Sequence, residues 1–258
     1  MCGRFTETMD GNDLWNYIEK TVPNLPDATI DQFDLFLRKE YHKRYNIVPT
    51  SYVPIIMVDE VVLMTTAHWW LLPSWGSEQV TFRTTSDGKK TLRWTGPPKS
   101  HFNSKFDTIT NPQNKYWTSL LAHQRCLIPA DGFMEWQDEK MIPKGSPKAS
   151  KYFFLNKRKP FFFAGVYDKA KDDEGKIFLS TNIITVNPNE LLTALPHHRM
   201  PAILSDGDVE SWLDPTTEFE DARALLKTLA TDQMDGYEIS NLVNYAKNDS
   251  EAVIAPKQ

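Results

Sequence analysis

The sequence has few cysteines and no long apolar run. Only Cys2 and Cys126 occur among its 258 residues, which excludes a disulfide scaffold and argues against a zinc site built mainly on cysteine. No stretch reaches the length of about 18 apolar residues that a membrane-spanning helix needs. The start MCGRF lacks the basic and apolar regions of a signal peptide. We therefore expect a cytoplasmic protein with reduced thiols, no metal and no cofactor.

The net negative charge argues against a protein that binds nucleic acid over most of its surface. The formal net charge is −5 and the pI is about 5.7, but the charge is unevenly distributed. Residues 205–221 contain no Lys or Arg, whereas residues 38–44 contain four cations and one Glu. A local basic groove on an acidic body is therefore compatible with the sequence.

The residue pattern predicts an α+β fold. Hydrophobic residues make up 40% of the chain and aromatic residues 12%, which suits a β-rich core. There is no internal repeat and no linker, so we expect a single domain over residues 1–258. Its only irregular part is a polar segment at about 77–100, interpreted as an insertion. The pair Asp131-Gly132 predicts a hairpin between strands at 125–130 and 132–136.

Cys2 is the first candidate for chemistry. Initiator Met is commonly removed before a small residue, and the mature chain would then begin with Cys2. Such a residue carries an α-amine with a pKa of about 8 next to a thiol with a pKa of about 8.5. The amine can form a Schiff base with an aldehyde, and the thiol can then close a five-membered thiazolidine ring. The alternative is an incidental cysteine at the second position.

Three further motifs contain candidates for proton transfer and anion binding. Arg4 of MCGRF is placed to hold a phosphate near Cys2. Glu135 of ADGFMEW lies between apolar residues, and burial would raise its pKa and suit it to proton transfer. PHHRMP supplies His197 as a proton shuttle and Arg199 as an anion clamp. The non-functional alternatives are a surface ion pair for Arg4 and an exposed strand carboxylate for Glu135. Without a third ligand, the two adjacent histidines do not predict a metal site.

Polar and aromatic motifs supply the remaining candidates. In HFNSKFDT, Asn103 is a candidate to hold the substrate or the catalytic backbone, and Lys105 to contact phosphate. RYNIVPT contributes Arg44 as a further cation. In WWLLPSW, Trp69 and Trp70 could stack on bases, although at least one tryptophan of that motif is expected in the core.

The ordered set of motifs resembles the SRAP family, the SOS-response-associated peptidases or abasic-site processing proteins. The resemblance runs over nearly the full chain and rests on MCGRF, RYNIVPT, WWLLPSW, FNSK, CLIPADGFMEW, PFFFAGVYD, PHHRMP and VNYAKND. It implies one α+β domain with a β-barrel-like central sheet and peripheral helices.

The resemblance also implies an activity and residue roles. Cys2 would crosslink to the ring-opened sugar of an abasic site in single-stranded DNA, with AP-lyase and autoproteolytic activity. Asn103, Glu135 and His197 correspond to the family's active-site residues, and Arg4 and Arg199 to its phosphate contacts. The protein would act as a monomer on DNA, at the nucleoid when engaged.

The sequence departs from the family pattern in three places. The usual Asn-Ala-Arg reads Asn103-Ser104-Lys105, which replaces a forked cation with a point charge. The usual Trp-Gly reads Trp69-Trp70, and the segment at about 77–100 is extended. Two other functions remain compatible with the residues: an N-terminal-Cys peptidase or amidohydrolase that does not act on DNA, and a noncovalent DNA-binding module.

Overall fold

The computed structural model describes residues 2–22, 41–74, 80–84, 90–94, 101–141, 143–144, 149–171, 175 and 177–257, with only the backbone for 80–84 and 90–94. The strands are β1 Arg4–Glu7, β2 Arg44–Ile47, β3 Tyr52–Asp59, β4 Val61–Trp69, β5 Val80–Thr84, β6 Lys90–Trp94, β7 Asn103–Lys105, β8 Arg125–Ala130, β9 Gly132–Trp136, β10 Ser150–Leu155, β11 Phe161–Lys171, β12 Ile177–Val186, β13 Met200–Pro201, β14 Ile203–Leu204 and β15 Met234–Ile239. The helices are α1 Gly11–Thr21, α2 Phe106–Ile109, α3 Lys115–His123, α4 Glu190–Ala194, α5 Val209–Leu213 and α6 Phe219–Leu225.

Five strands close into a barrel. Strand β12 pairs with β4, β4 with β3, β3 with β8, β8 with β11, and β11 pairs back with β12. Closure leaves these strands without a free edge between them, and their long apolar runs fill the interior. Strands β7 and β13 add to β12, and β14 adds to β11. The predicted α+β fold with a barrel-like central sheet is confirmed.

A second sheet packs against the barrel and contains the N-terminal strand. Its order is β15-β10-β9-β1-β2, and all of its pairings are antiparallel. Phe5 of β1 joins the two sheets, because its ring packs edge-on against Trp69 at 5.0 Å and Phe163 at 5.6 Å. Phe133 of β9 stacks on Phe153 of β10 beside it. The beginning of the chain is thus anchored in the common core.

The expected hairpin at Asp131-Gly132 is wrong. Strand β8 belongs to the barrel and β9 to the second sheet, so the chain crosses between sheets at Asp131. The Asp131 carboxylate is buried and accepts hydrogen bonds from the Thr6 and Thr8 hydroxyls and from the backbone N–H groups of Thr8 and Met9. The Asp131-Gly132 turn therefore connects two different sheets, and its position is set by contacts with the N-terminal segment rather than by a hairpin.

Two other features complete the fold. The expected insertion at about 77–100 includes the pair β5–β6, which forms a separate two-stranded sheet within the described residues. The remainder of that segment, like residues 38–40 of the basic stretch, lies outside the described residues. In the part of the chain that is described, no helix has the length and apolar character needed to cross a membrane.

The Asp131 carboxylate should be a main determinant of stability. Asp131→Ala removes the acceptor of two hydroxyl and two backbone donors, and we expect the free energy of unfolding to fall by about 3 kcal/mol or more. Urea unfolding measures the loss, and Asp232→Ala at an exposed position serves as the control. Equal unfolding midpoints for the Asp131 variant and the wild type would contradict this assignment.

Candidate active site at the amino terminus

Four segments of the fold bring the candidate residues together. Strand β1 supplies Arg4, with Cys2 two residues before it; β7 supplies Asn103, β9 supplies Glu135, and the loop between α4 and β13 supplies His197. The register of β1 on β9 sets Arg4 opposite Met134 and Phe5 opposite Phe133. Since the strands are antiparallel, the residues before Arg4 run alongside the end of β9, where Glu135 lies.

Cys2 is held in place by a hydrogen bond to its backbone carbonyl. The Asn103 side-chain amide donates a hydrogen bond to the Cys2 carbonyl at 2.7 Å, and Asn103 is placed by the parallel pairing of β7 with β12. Cys2 is fully buried in the chain that still carries Met1. Burial, followed by the charge of Glu135, raises the pKa of the Cys2 thiol well above its usual value, against an opposing effect of the chain's amino terminus.

Glu135 is buried because of its position in the alternation of β9. Phe133 points into the common core, and Glu135, two residues later, lies on the same face of the strand. Only 1% of its surface is exposed. Burial raises the pKa of Glu135 to about 8, although the positive amino terminus acts in the opposite direction. The carboxyl group is therefore mostly protonated at neutral pH.

His197 completes a neutral acid–base pair with Glu135. Its Nδ1 lies 2.8 Å from the Trp136 carbonyl, which can only accept, so Nδ1 carries the proton. Burial, with a smaller effect of the amino terminus, lowers the pKa of His197 to about 4. Nε2 is then an acceptor and lies 3.3 Å from Glu135 Oε2. A protonated Glu135 facing a neutral His197 satisfies both atoms without a buried charge.

Three of the cations proposed from the sequence, Arg4, Lys105 and Arg199, lie two residues along the chain from candidate site residues. Arg4 is half-buried and donates to the Gly3 carbonyl at 2.9 Å, Arg199 donates to Asp107 at 2.8 Å, and Lys105 is exposed at the end of β7. Among the described residues, Arg4 Nε, Arg199 Nη1 and Asn103 Oδ1 are buried without a hydrogen-bond partner. The two unsatisfied guanidinium donors suit an anionic ligand, and the Asn103 oxygen can accept from a donor group.

Two of the residues predicted from the sequence to contact DNA do not lie at the candidate site. Trp69 is fully buried, and its indole N–H donates to the Phe102 carbonyl at 2.9 Å, so no base can stack on it. Arg44 pairs with Glu7 at the far end of β1 and donates to the Tyr52 carbonyl. At about 3.3 Å per residue, Glu7 lies about 16 Å along the strand from Cys2.

The structure places two tryptophans at the site's edge. Trp70 is half-buried and packs on Phe102, next to Asn103. Trp136 was not among the sequence candidates, yet its ring lies 5.8 Å from the Arg4 guanidinium and its N–H donates to Asn244. The Glu135 motif gave no direct signal for Trp136, because a residue next to Glu135 in a strand faces the opposite side of the sheet.

The donor set does not form a metal centre. In the described ranges of the chain, no three His, Cys, Asp or Glu side chains are grouped so that they could hold an ion. Glu135 and His197 are used by each other, and His198 Nδ1 lies 2.7 Å from Asp138 Oδ2. The arrangement is suited to proton transfer and to covalent chemistry at Cys2.

Stability should depend on pH through Glu135. Its protonated form contributes stability that is complete below the usual glutamate pKa of about 4.3 and is lost as pH rises through about 8. Glu135→Gln stays neutral, so we expect it to be more stable than the wild type by about 1 to 3 kcal/mol at pH 9 and nearly equal at pH 5.

Urea unfolding at the two pH values measures the Glu135 effect. Glu7→Gln is the matched variant, because burial also raises the pKa of Glu7 to about 8 and Glu7 lies at the other end of β1. Both variants should be stabilised only at high pH. If the Glu135 variant differs from the wild type by the same amount at pH 5 and pH 9, Glu135 is not a buried neutral acid.

Comparisons with known proteins agree on one family. A family model described as SOS response associated peptidase (SRAP) matches residues 1–246. The abasic site processing protein YoqW of Bacillus subtilis (strain 168) is 31% identical over 256 residues, which cover 98% of this chain and 99% of that protein. The abasic site processing protein HMCES of Gallus gallus is 30% identical over 248 residues, covering 84% of this chain and 67% of that protein.

Solved structures share the fold. A crystal structure of a protein from Bacteroides thetaiotaomicron has a TM-score of 0.70 at 22% identity and covers 98% of this chain and 100% of that one. A protein from Bordetella bronchiseptica has a TM-score of 0.64 at 18% identity, with 93% and 100% covered. At these identities the likeness shows the fold alone, whereas the family model and the relatives match in sequence over nearly the whole chain. The chain belongs to the SRAP family.

Proposed function

We propose that this chain processes abasic sites in single-stranded DNA by forming a covalent thiazolidine crosslink through Cys2. The observation that carries the proposal is the fixation of the Cys2 backbone by Asn103 beside the neutral Glu135–His197 pair. The relatives named abasic site processing proteins support the same substrate. Such a substrate places the protein in the cytoplasm, at the nucleoid when engaged on DNA.

The first step opens the abasic sugar. The sugar exists mainly as a ring-closed hemiacetal, which has no free aldehyde. The protonated Glu135 donates its proton to the ring oxygen while His197 Nε2 accepts the proton of the C1′ hydroxyl. Proton return from His197 to Glu135 across their 3.3 Å contact restores the pair. The net change is a proton moved from one sugar oxygen to the other.

The second step joins the sugar to Cys2. The α-amine adds to the C1′ aldehyde and loses water to give an imine. The sulfur then bonds to C1′, and the thiol proton ends on the nitrogen, which closes the thiazolidine ring without a further leaving group. In this order the amine reacts first, because the imine carbon that it creates is the atom to which the sulfur bonds.

AP-lyase activity competes with ring closure. The imine acidifies the C2′ hydrogen, and loss of that proton expels the 3′ phosphate and cleaves the strand. Ring closure consumes the imine before this β-elimination. Protection of the strand therefore depends on how near the sulfur lies to the imine carbon. The Asn103 hydrogen bond to the Cys2 carbonyl limits the movement of Cys2 and so of its sulfur.

Removal of Met1 is a requirement of the proposal. With Met1 present the Cys2 nitrogen is an amide, which cannot condense with an aldehyde. Cys2 is also fully buried in that form, so processing must both free the amine and open the thiol to the strand. Hydrolysis of the Met1–Cys2 bond by the chain itself is the autoproteolytic activity that we include in the function.

Cys2→Ser separates the two covalent steps. Serine at this position keeps the α-amine but cannot form the sulfur ring, so the imine should accumulate. On a denaturing gel with single-stranded DNA containing one abasic site, the wild type should give a stable shifted band. The serine variant should give that band only after borohydride reduction, and it should cleave more of the strand.

Cys126→Ala is the matched control, because Cys126 is buried in the barrel beside Thr181. It should crosslink like the wild type. Absence of a shifted band with wild-type protein beginning at Cys2 would contradict the function. Hydrolysis of amide substrates in the absence of DNA would favour the alternative, an N-terminal-Cys peptidase or amidohydrolase.

DNA affinity should depend on the cations near Cys2 rather than on Arg44. Arg199→Ala removes a buried guanidinium with an unsatisfied nitrogen, and we expect weaker binding to single-stranded DNA and a salt slope reduced by about 1. Arg44→Ala should leave affinity and slope unchanged, since Arg44 lies at the far end of β1. Fluorescence anisotropy at several salt concentrations measures both. Equal losses in the two variants would contradict the proposed DNA path.

A further inference from the structure

The loop that carries His197 is attached to the end of β9 by three contacts. The first joins His197 Nδ1 to the Trp136 carbonyl at 2.8 Å, and the second joins the Asp138 backbone N–H to the Pro196 carbonyl at 2.9 Å. The third is an ion pair between side chains, His198 Nδ1 to Asp138 Oδ2 at 2.7 Å. Because Glu135 precedes Trp136 in the chain, these contacts connect the two halves of the acid–base pair.

His198 also contacts the ring of His197 directly. The two imidazole rings stack with centroids 5.3 Å apart and planes inclined by 26°. Asp138 is held in turn by the backbone N–H of Lys140, which donates to Oδ1 at 2.9 Å. Side-chain exposures of 47% for His198 and 20% for Asp138 show that neither residue is part of the core. His198, held by Asp138, therefore packs against the solvent-facing side of the His197 ring.

We propose that His198 and Asp138 are positioning residues, which hold the His197 imidazole against Glu135 by a ring stack that the Asp138 ion pair fixes in place. The inference rests on the proposed function, since it concerns the proton transfer that opens the abasic sugar. Neither residue touches the sugar; both act through His197. Proton exchange across 3.3 Å is sensitive to small displacements of the ring, and a shift of about 1 Å in a reacting group can cost about 100-fold in rate.

The charges around His197 predict the direction in which its pKa changes when His198 or Asp138 is removed. The groups that act on His197 are Glu135, Asp138, His198 and the chain's amino terminus. Burial is the largest cause of the lowered pKa of His197, and the amino terminus and His198 lower it further. The hydrogen bond to the Trp136 carbonyl and the charge of Asp138 raise it. Loss of His198 should therefore raise the pKa of His197, and loss of Asp138 should lower it, although both changes loosen the same ring.

The experiment measures single-turnover crosslinking by protein beginning at Cys2 with single-stranded DNA that carries one abasic site. His198→Ala and Asp138→Ala should each slow the rate at saturating protein by about tenfold. The half-saturating protein concentration should change less than twofold. His198→Asn keeps a side-chain donor for Asp138 but removes the ring that stacks on His197, so it should stay slow. Thermal melting checks that the variants are folded.

An NMR titration of the His197 ring provides a readout that does not need activity. The ring should titrate at higher pH in His198→Ala and at lower pH in Asp138→Ala than in the wild type. A purely structural loss would move both variants in the same direction.

Each outcome has a distinct meaning. A wild type that fails to crosslink refutes the proposed function, while the titration still tests the bracing of His197. A wild type that crosslinks, with both alanine variants at full rate, overturns the positioning role alone. A rate loss in His198→Ala that His198→Asn fully relieves also overturns it, because the ring stack would then not be what holds His197.

Discussion

The antiparallel pairing of β1 with β9 is the constraint on which the site depends. Without it, Cys2 would be the loose second residue of a chain, and Glu135 a buried carboxyl with nothing to act on. The Asp131 carboxylate holds the other end of β1 through Thr6 and Thr8, and Phe5 anchors the middle in the core. These contacts tie down a segment near a chain end, where chains are otherwise poorly ordered.

Burial of Glu135 keeps a proton on its carboxyl group at neutral pH, at the expense of stability at high pH. A carboxyl group with a pKa of about 8 can donate a proton at neutral pH, which an exposed glutamate cannot. His197 is tuned in the opposite direction, and its tautomer follows from the Trp136 carbonyl. The two groups thus share one proton in an apolar environment, where separated charges would be costly.

Sequence motifs identified most of the site, but not its boundaries. Cys2, Asn103, Glu135 and His197 were selected by their residue types and motifs, and the structure brings them together. The same motifs suggested Trp69 and Arg44, which the structure places in the core and at the far end of β1. Trp136 and Asp138 were not selected, because a motif does not state which neighbours a loop will contact.

The sequence by itself determined the fold class and the family, because strand patterning and an ordered set of motifs are read along the chain. It also made Cys2 the candidate nucleophile, because an N-terminal amine beside a thiol is a property of local chemistry. It predicted a hairpin at Asp131-Gly132, where the chain instead crosses between two sheets. Only the tertiary structure decided which strands pair, which carboxyl is buried and which side chain holds the Cys2 backbone. Those outcomes depend on contacts between residues distant in sequence, such as Asn103 with Cys2, and their energies arise only once the core has closed around them.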